Sequence, residues 1–298
     1  MSRPSSEALP AAGSGAAPAR AAAARRPALA ALTGFGRRRT LNVRIGVQQL
    51  VLELDGGRGA PLVAALAQPY GALGEGLERA MPTDLGQAMA ALEPALALLQ
   101  TQLTARSLGS LRGSRCRVTV DDSWMLYDVV RADLRGLAPR AADALIRASL
   151  ADVAGVEPTE LASRWQAQGA SPHTLACGLP SVALPALEQA LRTQGLVLDS
   201  IEGEFVRTYN RYRDRIEPKR ALVALVREAG TQLAVVIDGV LTAMSFEFGI
   251  GAPKELELRG RGLVRAAGAS AEGTIKCYVF TPEGWKAPDP WICLPIGS

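Results

Sequence analysis

Histidine is nearly absent from this 298-residue chain: His173 is the only one. Its four cysteines, Cys116, Cys177, Cys277 and Cys293, include no Cys-x-x-Cys pair. A zinc site needs four closely spaced sulfur or imidazole ligands, so none is expected. Three of these cysteines lie in apolar, strand-like runs, where a reduced thiol acts as a small hydrophobe and suits a reducing cytosol. Lysine is scarce: Lys219, Lys254, Lys276 and Lys286 are the only four, and arginine supplies the other basic residues, a bias typical of GC-rich coding. No Gly-x-x-x-x-Gly-Lys phosphate loop occurs. A membrane-spanning helix needs about 20 continuous apolar residues. The longest weakly charged run, 229–246, is broken by Gln232, Asp238 and Gly239.

Apolar residues make up 48% of the chain, and its mean hydropathy is +0.10. That excludes wholesale disorder and allows a sizeable core. Charge is unevenly spread. Residues 1–40 hold seven arginines and one acid, a net of +6, whereas the whole chain is +4, which leaves −2 for the rest. The basic isoelectric point therefore belongs to the tail. A body without its own excess of basic charge is a poor nucleic-acid binder. The tail, 1–40, is rich in Ala, Pro, Ser, Gly and Arg and reads as disordered. A secretory signal needs an unbroken apolar stretch, but residues 27–35 contain Thr33 and Gly34 and lie between arginine clusters. A mitochondrial presequence and a misassigned start remain alternatives. Arg25-Arg26 and Arg37-Arg38-Arg39 could touch anionic lipid weakly.

The body alternates strand and helix signals. Residues 42–47 and 49–54 read as a hairpin with its turn at 46–49, and 61–70 is ambiguous. A helical pattern starts at Thr83, with Pro94 marking a kink or a break. Strands are expected at 116–120 and 124–130, flanking an Asp121-Asp122-Ser123 turn. A helix follows from Pro139 to Gly155, with Ala142, Leu145, Ile146, Leu150 and Val153 on its inner face. Strands around Trp165 and at 174–179 precede a helix that carries Val182, Leu184, Leu187 and Leu191 inside and stops at Gly195. Next come a strand at 196–201 and a short helix at 204–213, with Phe205, Tyr209 and Tyr212 on one side. Residues 221–226, 231–237 and 241–248 form an antiparallel meander with a hairpin signal at Asp238-Gly239. A helix from Lys254 and a strand at 274–280 complete the order.

Two copies of one α/β unit in this order resemble an actin-like, ribonuclease-H-type tandem fold. Residues 116–130, with Val-Thr-Val-Asp-Asp-Ser-Trp, are similar to the strand–turn–strand of degenerate actin-like proteins. Residues 175–205 look like the crossover that ends the first half, and 221–248 like the meander that opens the second. The family resembled is the actin-like platform proteins of type IV pilus assembly (PilM-like) and type II secretion (GspL-like). The resemblance implies an α/β fold of two actin-like subdomains with mixed sheets and flanking helices, at 41–200 and 201–298. It also implies a cytoplasmic location, peripheral to the inner membrane, and other assembly-machinery proteins as partners. Nucleic acid is not expected among them.

Active members carry an acid near the end of each half's first strand, then Gly and a hydroxyl residue, to place metal and phosphates. Here the first turn is Arg44-Ile45-Gly46-Val47-Gln48, without a carboxylate. The second is Arg227-Glu228-Ala229-Gly230-Thr231, with altered spacing. Gly46, Glu228, Gly230 and Thr231 are thus remnant nucleotide-binding positions. Asp121 and Asp122 are a remnant metal or phosphate pair, though a turn of this composition is ordinarily solvated. These departures point to a pseudo-ATPase scaffold with no cofactor and no resident metal. The alternatives are an ATPase or small-molecule kinase using ATP with Mg on Asp121, Asp122 or Glu228, and an unrelated α/β interaction module. His173 reads as a loop residue. Arg207, Arg211, Arg213, Arg215, Lys219 and Arg220, around Tyr209 and Tyr212, read as a largely salt-bridged surface. Tyr209, Tyr212, Trp285 and Trp291 are candidate partner-interface residues.

Overall fold

Leu41, Val43 and Ile45 alternate with polar neighbours, and the strand pleat turns all three onto one buried face. They lie on β1 (Thr40–Ile45), which pairs antiparallel with β2 (Gln49–Asp55). The Gly46 N–H donates to the Gln49 carbonyl at 3.0 Å and closes the hairpin. In this computed structural model the described residues are 39–55, 61–67, 82–227, 229–249, 253–268, 275–281 and 289–295. The basic tail, but for Arg39 and Thr40, and Glu228 and Trp285 lie outside them.

The ambiguous segment after β2 is a strand, β3 (Leu62–Ala67). The helical stretch breaks at Ala91 into α1 (Pro82–Ala90) and α2 (Leu92–Ala105). Pro94 thereby falls in the first turn of α2, where a missing N–H costs nothing. β4 (Arg115–Val120) runs into a 3-10 turn at Asp122–Trp124, and only then does β5 (Leu126–Val130) begin. α3 (Pro139–Ala154) starts on its proline and ends at Gly155 in the left-handed conformation. Ala142, Ile146 and Leu150 are buried as expected, but Leu145 and Val153 are exposed, because the buried stripe is narrower than the apolar one. β6 (Leu161–Ala167) and β7 (Thr174–Pro180) follow, then α4 (Ala183–Thr193), β8 (Val197–Gly203) and α5 (Glu204–Tyr212). Val182 precedes α4 and is exposed instead of lying inside it. The meander is β9 (Arg220–Val226), β10 (Gly230–Ile237) and β11 (Val240–Phe248). Asp238 and Gly239 both have positive φ, as their two-residue turn requires. α6 (Pro253–Ala266), β12 (Lys276–Thr281) and a short strand not expected from sequence, β13 (Ile292–Pro295), end the order.

The strands form two five-stranded sheets of the same plan, β3-β2-β1-β4-β8 and β11-β10-β9-β12-β13. β1 and β9 each sit third. Each has an antiparallel neighbour on one side (β2, β10) and a parallel one on the other (β4, β12). The repeat heard in the sequence is therefore a repeat in space. A third sheet, β5-β7-β6, antiparallel throughout, packs on α3 around Ile146, Leu150 and Ala176. The sequence reading did not separate it from the first half. The first sheet buries its core against α1, α2 and α4. One face of the second sheet packs on Phe205 and Tyr212 of α5, the other on Leu256 of α6 and on Trp291.

Candidate functional site

β4 leads directly into Asp121, whose N–H donates to the Ile45 carbonyl at the end of β1 (2.9 Å). Its carboxylate accepts from the Ser123 N–H (2.9 Å) and hydroxyl (2.7 Å). The Asp122 carboxylate accepts from the Tyr127 hydroxyl (2.6 Å) and from the Phe205 N–H (2.8 Å) at the start of α5. The residue capping α5 is Gly203, which has no side chain to offer. Asp122 supplies the missing acceptor from 83 residues away in sequence. A Cβ on Gly203 would lie 1.6 Å from the Tyr127 hydroxyl, so only glycine fits there. Both aspartates are buried, which overturns the reading of a solvated turn. Burial pushes both carboxyls above the usual range, Asp122 the further, against the opposing pull of their hydrogen bonds.

Glu204, the first residue of α5, is also buried. It pairs with Arg227, just past β9 in the second sheet, and lies 3.9 Å from Arg44 on β1 in the first. Arg207, one turn on, donates to the Thr119 hydroxyl of β4 at 2.9 Å. An Arg–Glu–Arg arrangement thus bridges β1 and the residue that follows β9. No cluster of three or more metal-ligating side chains occurs among the described residues. Gly46 closes its hairpin as described. Gly230 is required by packing, since a Cβ there would meet the Glu247 carbonyl at 2.6 Å and the Phe246 ring at 2.7 Å. Thr231 is fully buried within β10, and its hydroxyl has no partner among the described residues. The structure therefore gives the Gly230-Thr231 pair a place in the sheet instead of an open turn. Glu228 lies outside the described residues.

A cavity of about 740 Å³ opens between the β6–β7 loop, α5 and the β10–β11 turn. Tyr209 lines it, half-buried and stacked on Phe205 at 5.8 Å, together with His173, Asn210, Arg213 and Leu241. The Gln168 side-chain amide pairs with Leu241 as a strand would, accepting from its N–H (2.9 Å) and donating to its carbonyl (2.8 Å). Arg135 holds the same loop by donating to the Gly169 (2.6 Å) and Ser171 (3.3 Å) carbonyls. His173 Nδ1 sits 2.9 Å from the Ser171 hydroxyl. Sequence reasoning missed Gln168 and Arg135, and a glutamine beside a Gly-Ala-Ser turn carries no signal for such a role. Of the four aromatic interface candidates, Tyr209 reaches a cavity. Tyr212 and Trp291 are corrected to core residues, Tyr212 against Phe280 and Trp291 against the α6 side of the second sheet. All four cysteines are free. Burial pushes the Cys116 thiol up to about 12.

No protein-family profile matches the sequence, and a search of curated proteins finds no significant match. Among solved structures, the chain is similar to a Bacteroides thetaiotaomicron protein described as having an actin-like ATPase fold and unknown function. The TM-score is 0.51, at 7% identity over 82% of each chain. It is also similar to the cytoplasmic domain of EpsL, an inner membrane component of the type II secretion system of Vibrio cholerae (TM-score 0.49, 13% identity, 87% of this chain and 90% of that one). A PilM–PilN type IV pilus biogenesis complex gives a TM-score of 0.48 at 16% identity, over 81% of this chain and 80% of that one. The chain has the actin-like ATPase fold.

Proposed function

We propose that this protein is a non-catalytic actin-like scaffold that docks partner proteins of a pilus or secretion assembly at the cytoplasmic face of the inner membrane. The observation that carries the reading is Glu204 held between Arg44 and Arg227, at the two turns where the resemblance would place phosphates and metal. A fixed guanidinium repels the magnesium that a triphosphate needs, and the Glu204 carboxylate between Arg44 and Arg227 is already engaged. Asp121 and Asp122 are spent on internal hydrogen bonds and burial favours their neutral forms, which bind a divalent cation poorly. The assembly context rests on the three sequence segments that resemble PilM-like and GspL-like proteins. In this reading the halves 41–200 and 201–298 meet at β8, and the cavity beside Tyr209 is where a partner segment seats.

Isothermal titration with ATP and magnesium tests it. No binding at millimolar nucleotide is expected for the wild type or for Asp121→Ala and Glu204→Gln. Magnesium-dependent binding that disappears in Asp121→Ala would sink the scaffold reading and promote an ATP-using enzyme.

A further inference from the structure

The short basic segment at the end of α5 and just beyond it is less neutralised than its composition suggests. Tyr212 is buried against Phe280, with ring centroids 5.4 Å apart, and its ring is a fixed platform. The guanidinium carbons of Arg211 and Arg215 lie 5.6 and 5.5 Å from the centroid of that one ring. Both side chains belong to exposed residues, and neither has a carboxylate within salt-bridge reach among the described residues. Neither nearby acid on the segment pairs with them. Glu217 pairs with Lys276 at 3.2 Å, and Asp214 faces its own neighbour Arg213 at 3.8 Å. Lys219, exposed, follows on the same loop.

We propose that Arg211 and Arg215, stacked on Tyr212, form with Lys219 a docking surface for an acidic segment of a partner protein. Stacking holds both guanidiniums before any partner arrives, which lowers the ordering cost of binding. A guanidinium presents parallel N–H donors to a carboxylate, so two held at one ring offer sites for two acidic side chains of one segment. An anionic bilayer and a nucleic-acid backbone fit less well. Asp214 stands fully out beside the arginines. Asp238 is exposed on the turn whose backbone bonds to Lys219 (3.0 Å). A continuous plane of phosphates would be repelled by both aspartates, whereas a peptide can set its carboxylates opposite the cations alone. The proposal rests on the scaffold reading for the existence of a partner and adds the partner's chemistry.

The test uses the full chain and a fluorescent peptide of alternating glutamate and serine. Arg211→Gln with Arg215→Gln should weaken binding at least about tenfold, and raising the salt should weaken the wild type. Arg140→Gln with Arg147→Gln on α3 removes the same charge elsewhere and should change binding less than about twofold. Carbodiimide coupling of the bound peptide should fall on Lys219. Equal losses in the two double variants, or coupling that favours Lys254 or the amino terminus, would overturn the proposal. So would phosphatidylglycerol vesicles or oligothymidine binding through Arg211 and Arg215 when the peptide does not. Arg211→Lys with Arg215→Lys keeps the charge and loses the fork, and an intermediate loss is expected from it. Failure here leaves the nucleotide result untouched, and nucleotide binding would leave the peptide result standing.

Discussion

At Asp122 one carboxylate serves two elements, and its burial has a measurable sign. Its folded-state pKa is raised, so its contribution to stability is full below the ordinary carboxylate pKa near ~4 and is lost as the pH rises through the raised value. Asp122→Asn, which keeps an acceptor for the Phe205 N–H, should therefore flatten the decline in wild-type stability between mildly acidic and mildly alkaline pH. Urea midpoints across that range check it, and parallel curves for the two proteins would contradict it. Gly203 gives a second outcome. Gly203→Ala places a methyl against the Tyr127 hydroxyl and should cost about 1–3 kcal/mol. Combining it with Tyr127→Phe should be non-additive by about 0.5 kcal/mol or more, because the clash is partly removed. The sequence shows Asp121-Asp122 at the end of a strand, and that much was legible. Their burial was not, because Gly203 closes over Asp122 and Phe205, 83 residues further along the chain, bonds to it.

α5 shows the same division at the next scale up. The spacing of Phe205, Tyr209 and Tyr212 marks one side of a helix, and the structure keeps that side apolar and aromatic. What the spacing does not contain is depth. Phe205 and Tyr212 enter the core of the second sheet, whereas Tyr209, between them, stops at the cavity wall. Phe205→Ala should accordingly cost about 3–5 kcal/mol in denaturant unfolding. Tyr209→Ala should cost clearly less, since it loses a half-buried ring and a stack worth about 0.5–1.5 kcal/mol. β13 and the β5-β7-β6 sheet were missed for a related reason. Four residues after a proline-rich stretch carry too little periodicity, and strand signals do not say which strands pair. The hairpins β1–β2 and β10–β11, by contrast, declare their partners through their turns.

At the scale of the molecule, the repeat of two equivalent sheets was readable because each half opens with its own hairpin. The ties across the halves were not. Glu204 joins β1 to the turn after β9, and Gln168 joins the small sheet to β11. Gln168→Ala should speed hydrogen exchange at the Leu241 amide by about fivefold or more, since a lost hydrogen bond is worth about 1 kcal/mol or more. An unchanged rate would show that the pairing carries no protection.

The position of α5 has a further consequence for calorimetry. Its first turn is fastened to the first half through Asp122, while Phe205 and Tyr212 are part of the second half's core. Neither half can melt without exposing what the other needs. The protein should therefore give one heat-absorption peak whose calorimetric and van't Hoff enthalpies agree. Asp122→Ala combined with Glu204→Gln cuts the helix loose at one end. That pair should broaden or split the peak, turning one cooperative unit into two that melt separately.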